Sequence, residues 1–207
     1  MKILLHCCCA PCSVMPLQLL REAGHEISAF FYNPNIHPYT EYKKRRNCFR
    51  EYMEAQHVPF ALLDDYDLEG WLGRLNYQQK GRPEAPGRCG FCYSVRLRQA
   101  ARLAAEQGFD AFSTSLLVSP YQQHELIKIW GERAAAEFNL QFVYQDFRPY
   151  FREGQEIARA QGLYMQKYCG CIYSEKDRYF KPKQQPLIFD NKWQKKLNLA
   201  ARQQKMG

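Results

Sequence analysis

Lys2-Ile3-Leu4-Leu5-His6-Cys7-Cys8-Cys9-Ala10-Pro11-Cys12-Ser13 is the segment that decides the fold. Residues 2–5 are a short apolar run suited to a buried strand, and the run ends at His6 and a knot of cysteines. Ser13 reads as a helix N-cap, with Val14, Leu17 and Leu20 at helical spacing before Gly24 closes the segment. The same alternation continues outward. Residues 27–32 form a second expected strand, stopped by the turn chemistry of Asn33-Pro34-Asn35. A long basic helix is expected over 40–56 and a third strand over 58–63. The pattern then resumes with a helix over 90–107 ended by Gly108 and a buried strand over 111–115. Ser119-Pro120 supplies an N-cap and a first-position proline for a helix to about residue 138, and 141–144 is a last short strand. Strands alternating with helices imply βαβ units and a parallel sheet, hence an α/β domain.

The chain has 207 residues, 46% of them hydrophobic and 24% charged, which suits one globular domain and excludes a disordered or collagen-like chain. Residues 1–181 are read as that domain and 182–207 as a basic extension, with Lys183, Lys192, Lys195, Lys196, Arg202 and Lys205 against one acid, Asp190. No apolar run approaches the roughly 18 residues of a membrane span, and the start is too short for a secretory signal core, so a cytoplasmic protein is expected. The formal net charge of +8 favours a polyanionic partner. Nine cysteines in a chain expected to stay in a reducing compartment point to metal or redox chemistry rather than structural disulfides.

The cysteines are grouped. Cys7-Cys8-Cys9 and Cys12 stand at the carboxyl end of the first expected strand, where open α/β sheets bind ligands. Cys89-Gly90-Phe91-Cys92 opens a helix, and a C-x-x-C turn lets both thiolates face one metal, with the helix N-terminus lowering thiol pKa. Two such pairs can hold zinc or an iron–sulfur cluster. Adjacent Cys8 and Cys9 suit a cluster better than one tetrahedral ion. Cys169-Gly170-Cys171 can bend at its glycine into disulfide range, giving a strained and therefore oxidising pair, or it is a second ligand pair or two inert thiols. Cys48 stands alone in the basic helix.

At these residues the sequence resembles the epoxyqueuosine reductases of the QueH type. The matching segments, in family order, run from Leu4-Leu5-His6-Cys7-Cys8-Cys9-Ala10-Pro11-Cys12 through Tyr32-Asn33-Pro34-Asn35-Ile36-His37-Pro38 with Glu41-Tyr42. Arg88-Cys89-Gly90-Phe91-Cys92-Tyr93, then Ser113 to Gln122, then Asp146-Phe147-Arg148 follow, and Leu163-Tyr164-Met165-Gln166-Lys167-Tyr168-Cys169-Gly170-Cys171 closes the match. The resemblance implies a Rossmann-like parallel sheet flanked by helices. It also implies an oxidoreductase for the last step of queuosine synthesis, which removes the epoxide oxygen from epoxyqueuosine at the tRNA wobble position without cobalamin. Carried over, Cys8, Cys9, Cys89 and Cys92 would hold a 4Fe–4S cluster, and Cys169 and Cys171 would be the redox-active pair. Cys7 would be the variable position of the motif and a buried small residue. Cys12 would ligate an additional iron or cap the helix start.

Epoxide reduction takes two electrons and two protons, so a proton donor is needed. The matched segments offer His6, His37, Tyr121, Asp146 and Tyr168. For tRNA, Lys43, Lys44, Arg45 and Arg46 form a basic run with Tyr39, Tyr42 and Phe49 nearby, and Arg96, Arg98 and Arg102 would extend it. The rival enzyme is an iron–sulfur tRNA sulfur-transfer protein, but the Cys-Cys-Cys-Ala-Pro-Cys loop lacks the glycines such enzymes use to cradle ATP phosphates. A zinc-stabilised RNA-binding module is the non-enzymatic rival. No G-x-G-x-x-G follows an expected strand, so bound NAD is not expected and the electron donor is external.

Overall fold

The computed structural model describes residues 1–81, 84, 86–181, 192, 193 and 195. The expected extension over 182–207 therefore lies outside the described residues except for Lys192, Trp193 and Lys195.

Five parallel strands form one sheet in the order β3-β2-β1-β4-β5. They are β1 (Lys2–His6), β2 (Glu26–Phe31), β3 (Phe60–Leu62), β4 (Ala111–Thr114) and β5 (Gln141–Phe142). Ile3 faces Ile27 on one side and Ala111 on the other, and His6 faces Phe30 and Thr114. A central parallel strand is covered on both faces, which is why β1 tolerates the unbroken run Ile3-Leu4-Leu5, all but fully buried.

Seven α-helices flank the sheet among the described residues: α1 (Ala10–Glu22), α2 (Tyr39–Ala55), α3 (Leu68–Gln78), α4 (Gly87–Glu106), α5 (His124–Glu137), α6 (Phe151–Ala160) and α7 (Ile172–Tyr179). Helix α1 packs on α2 and α6, while α4 and α5 pack on each other and on β4. Right-handed crossovers send the first two connections to one face and the connection from β4 to β5 to the other. The α1–α6 contact is close because Gly154 has no side chain: a Cβ there would come within 2.8 Å of Met15 Cγ.

Two expected helix starts are corrected. Cys9, not Ser13, is the N-cap of α1, and Ser13 lies in its first turn, where its hydroxyl donates to the Cys9 carbonyl at 2.7 Å. Ser119-Pro120 does not open α5. The Ser119 hydroxyl accepts from the Tyr121 N–H in a turn, its carbonyl accepts from His124 Nε2, and the helix begins at His124. Helices α3, α6 and α7 carry no counterpart in the sequence reading. Helix α3 had a signal: Asp67 accepts from the Gly70 N–H as an N-cap, and Trp71 and Leu75 bury one face.

Candidate metal centre

The sheet order reverses between β1 and β4, and the crevice beyond their carboxyl ends is where a parallel sheet of this kind holds its ligand. The Cys7–Cys9 loop occupies it and is tied down on three sides. The Cys7 N–H extends the β2 ladder to the Phe30 carbonyl at 2.7 Å, Asn33 Nδ2 donates to the Cys7 carbonyl at 2.9 Å, and the Cys8 N–H donates to Ser115 Oγ at 3.0 Å. Extended backbone at Cys9 then feeds straight into α1, which returns Cys12 to the same spot. The sulfurs of Cys8, Cys9 and Cys12 lie within 4.8 Å of one another, with Cys8 and Cys9 3.7 Å apart.

This triad can hold a metal. Hydrogen bonds from Cys12 and Cys9 hold the Cys8 thiol well below its ordinary pKa. Cys9 is pushed up by burial, and Cys12 is raised chiefly by its hydrogen bond to Cys8. One thiolate is thus shared among three sulfurs, and a soft cation would stabilise all three as ligands. Gln166 Nε2 donates to Cys12 Sγ at 3.1 Å and orients it. Cys7 turns the other way: it is fully buried, its thiol donates to the Leu5 carbonyl, and burial pushes its pKa up to about 12.

Cys89 and Cys92 lie in the first two turns of α4, outside the triad. The helix N-terminus does not lower their pKa as the sequence suggested, because burial outweighs it; Cys92 is pushed up to about 12. Arg96, one turn further on, connects the two halves. Its Nη1 donates to Cys92 Sγ at 3.6 Å, and its charge acts on Cys8 as well. Cys169 and Cys171 complete the neighbourhood, both acting electrostatically on Cys92. Their loop is held by the His37 N–H donating to the Gly170 carbonyl at 2.8 Å, and by Arg45 donating to the carbonyls of Tyr168 (2.8 Å) and Cys169 (3.1 Å). Gly170 has φ +110°, and a Cβ there would come within 2.9 Å of Ile36, so only glycine suits this bend.

A family model described as Epoxyqueuosine reductase QueH matches residues 3–177. The chain belongs to the QueH family of epoxyqueuosine reductases. Its relatives include the Dehalococcoides mccartyi Epoxyqueuosine reductase QueH, 35% identical over 181 residues, covering 87% of this chain and 96% of that protein. The one from Acinetobacter baylyi is 39% identical over 180 residues, covering 85% of this chain and 81% of that protein. Among solved structures, the U34-tRNA thiolase NcsA from Methanococcus maripaludis with its [4Fe-4S] cluster superposes with a TM-score of 0.55 at 16% identity. That match spans 84% of this chain but 61% of NcsA, and it establishes a shared α/β fold.

In this QueH chain the structure sorts the remaining candidate residues. Arg45 leaves the expected RNA-binding run: it is 1% exposed, paired with Glu41 at 2.6 Å, and spent on the Cys169 loop. Lys43 and Lys44 are exposed, and Arg46 pairs with Asp64. Arg96 is likewise buried and leaves the proposed surface, whereas Arg98 and Arg102 are exposed but paired with Glu137 and Glu106. Asp146 is a poor proton donor, because hydrogen bonds from Arg148 hold its carboxyl down at about 2. His6 is structural. Its Nε2 donates to the Tyr32 carbonyl, its Nδ1 accepts from Thr114, and burial lowers its pKa to about 3. Tyr168 gives its hydroxyl proton to the His37 carbonyl, and Tyr121 is 81% exposed.

His37 is different. It is buried, and neither ring nitrogen has a partner. Asn35, two residues earlier, is buried with both amide atoms unpartnered. Sequence reasoning missed Asn35, Ser115 and Gln166, although all three sit inside the matched segments. No helix among the described residues is long and apolar enough to cross a membrane.

Proposed function

We propose that the chain removes the epoxide oxygen of epoxyqueuosine at the wobble position of tRNA, leaving queuosine, by iron–sulfur and thiol chemistry without cobalamin. The observation that carries this reading is the convergence of three buried cysteine sulfurs at the switch point of a QueH chain. Cys8, Cys9, Cys89 and Cys92 are the proposed ligands of a 4Fe–4S cluster, and Cys12 that of an additional iron. The all-sulfur donor set and the buried Arg96 charge beside it suit such an anionic group. When bound, the cluster supplies electrons one at a time.

The thiols of Cys169 and Cys171 complete the balance. Closing them to a disulfide releases two electrons and two protons, which convert the epoxide to an alkene and carry its oxygen off as water. An external reductant then reopens the disulfide. His37 is the proposed donor of the proton to the departing oxygen. Burial lowers its pKa, so it is neutral at pH 7 and acts as a relay, giving its N–H proton to the oxygen as its other nitrogen takes up one released by the thiols. The reaction belongs in the cytoplasm, where thiols stay reduced.

Anaerobic incubation of iron-reconstituted protein with epoxyqueuosine tRNA and a reductant tests the whole reading. Nucleoside mass spectrometry should show loss of one oxygen mass. Cys171→Ser should keep its iron and stop after at most one turnover; sustained turnover would refute the relay. No conversion at full iron and sulfide stoichiometry would instead favour the sulfur-transfer reading, and bound zinc the RNA-binding one.

Lys43 and Lys44 are the proposed phosphate contacts on α2, with Lys44 also lying 5.6 Å from the Tyr164 ring centre. Two lost phosphate contacts flatten the salt dependence of tRNA affinity, by about 1.4 in the log–log slope at ~0.7 per contact. Titrations of the Lys43→Gln, Lys44→Gln double variant between low and physiological salt should show this. An unchanged slope would remove the patch from the interface.

A further inference from the structure

Arg96 lies one turn after Cys92 on α4 and is 2% exposed. A guanidinium cannot shed its proton at any accessible pH, and leaving it unpaired in a low-dielectric interior costs several kcal/mol. Among the described residues the other deeply buried arginine, Arg45, meets that cost with the Glu41 carboxylate. Arg96 does not. Among the described residues no carboxylate lies within ion-pair distance of it. Its Nη2 donates to Asn33 Oδ1 at 2.6 Å, its Nη1 to Cys92 Sγ at 3.6 Å, and its Nε has no partner.

The guanidinium is also held rigidly. Asn33 uses its carbonyl oxygen to fix Nη2 and its amide to fix the Cys7 carbonyl, so one side chain sets the cation in register with the cysteine loop after β1. The groups available to balance Arg96 are therefore sulfur: the Cys8 thiolate across the crevice, and Cys92 in direct contact, which burial keeps a neutral thiol until a metal takes its proton's place.

We infer that Arg96 is the built-in counter-charge of the metal centre, a positioning residue that raises its reduction potential by donating to the Cys92 sulfur and setting a fixed positive charge between the two cysteine groups. The inference rests on the ligand assignment proposed above. Adding an electron to a thiolate-held centre increases negative charge in a buried site. A fixed cation and a hydrogen bond to sulfur both offset that increase, and each raises the potential. Asn33 is the second element of the device, since without it the guanidinium is free to swing away from Cys92.

Redox titration of iron-reconstituted Arg96→Gln and Arg96→Lys, with iron and sulfide counted for each, tests this. Glutamine keeps a donor for Asn33 and loses the charge. Arg96→Gln should hold wild-type iron and sulfide while its one-electron reduction equilibrium falls at least tenfold, about 59 mV; Arg96→Lys should recover most of that. An unchanged potential at full iron content overturns the inference. If Arg96→Gln also loses its iron, thermal unfolding of the metal-free proteins decides. Arg96→Met should then unfold no earlier than metal-free wild type, because it removes a buried charge that has no metal centre to balance it. Earlier unfolding of the metal-free variant would mark an ordinary structural arginine and overturn the inference. A wild-type protein that takes up zinc and shows no reducible chromophore overturns the ligand assignment itself, and is recognised before any variant is made.

Discussion

Cys8→Ser yields a folded protein that has lost its iron and its reductase activity. The substitution changes one atom, and the loop around it is fixed by the Cys8 N–H bond to Ser115 Oγ and the Asn33 bond to the Cys7 carbonyl, neither of which involves the sulfur. Stability of the metal-free protein should move by no more than about 1 kcal/mol. The chemistry moves far more. A serine hydroxyl is a hard donor that stays protonated, whereas the Cys8 thiol is held as the thiolate of the triad by its neighbours. Iron content should fall by roughly tenfold or more. Cys7→Ser is the matched control, one residue away with its side chain turned into the core. It should keep its iron and lose about 1–3 kcal/mol of stability by burying a hydroxyl. Iron counted per folded chain distinguishes the two. Iron retained by Cys8→Ser would show that the triad is not the site.

His37→Ala should lower kcat by about 10²–10⁴, the usual contribution of a positioned proton donor, while iron content stays at the wild-type level. Hydrogen bonding distinguishes His37 from the other four candidate proton donors of the matched segments. His6 and Tyr168 have committed their protons to backbone or side-chain partners, Asp146 is held ionised by Arg148, and Tyr121 stands in solvent. His37 alone of the five combines burial with two unpartnered nitrogens, an arrangement that costs stability unless a ligand completes it. It also bonds through its backbone to Gly170, between the two thiols of the relay. Single-turnover rates across pH give a second readout: the wild-type rate should carry an ionisation that the alanine variant lacks. A variant with wild-type kcat would return the role to solvent.

The alternation of apolar runs and helical patterns made the parallel sheet legible, because periodicity reports which faces are buried. The strand core around Ile3-Leu4-Leu5 and the helix α2 pattern follow directly from it. Helix starts were less legible. Ser119-Pro120 satisfies every local rule for an N-cap, yet the Ser119 hydroxyl is used by Tyr121 in a turn, a choice made by packing around His124. Helices α6 and α7 escaped notice because they are short and draw their stability from docking, α6 on α1 and α7 through the Arg88–Asp177 pair.

The same division runs through the site. Residue identity and spacing were enough to place two cysteine groups at a strand end and a helix start, and, through the ordered match of six segments, to indicate the family. A one-dimensional pattern records which chemistry is available and how local turns present it. It does not record which side chains meet across the sheet. That Cys12 joins Cys8 and Cys9 while Cys7 turns away depends on how β1 passes into α1. That Arg45 and Arg96 are buried among carbonyls and sulfur, rather than displayed to RNA, depends on α2 and α4 packing beside the crevice. Charge is a property of a residue, but the work a charge does is set by its desolvation and its partners, and only the tertiary structure determines those.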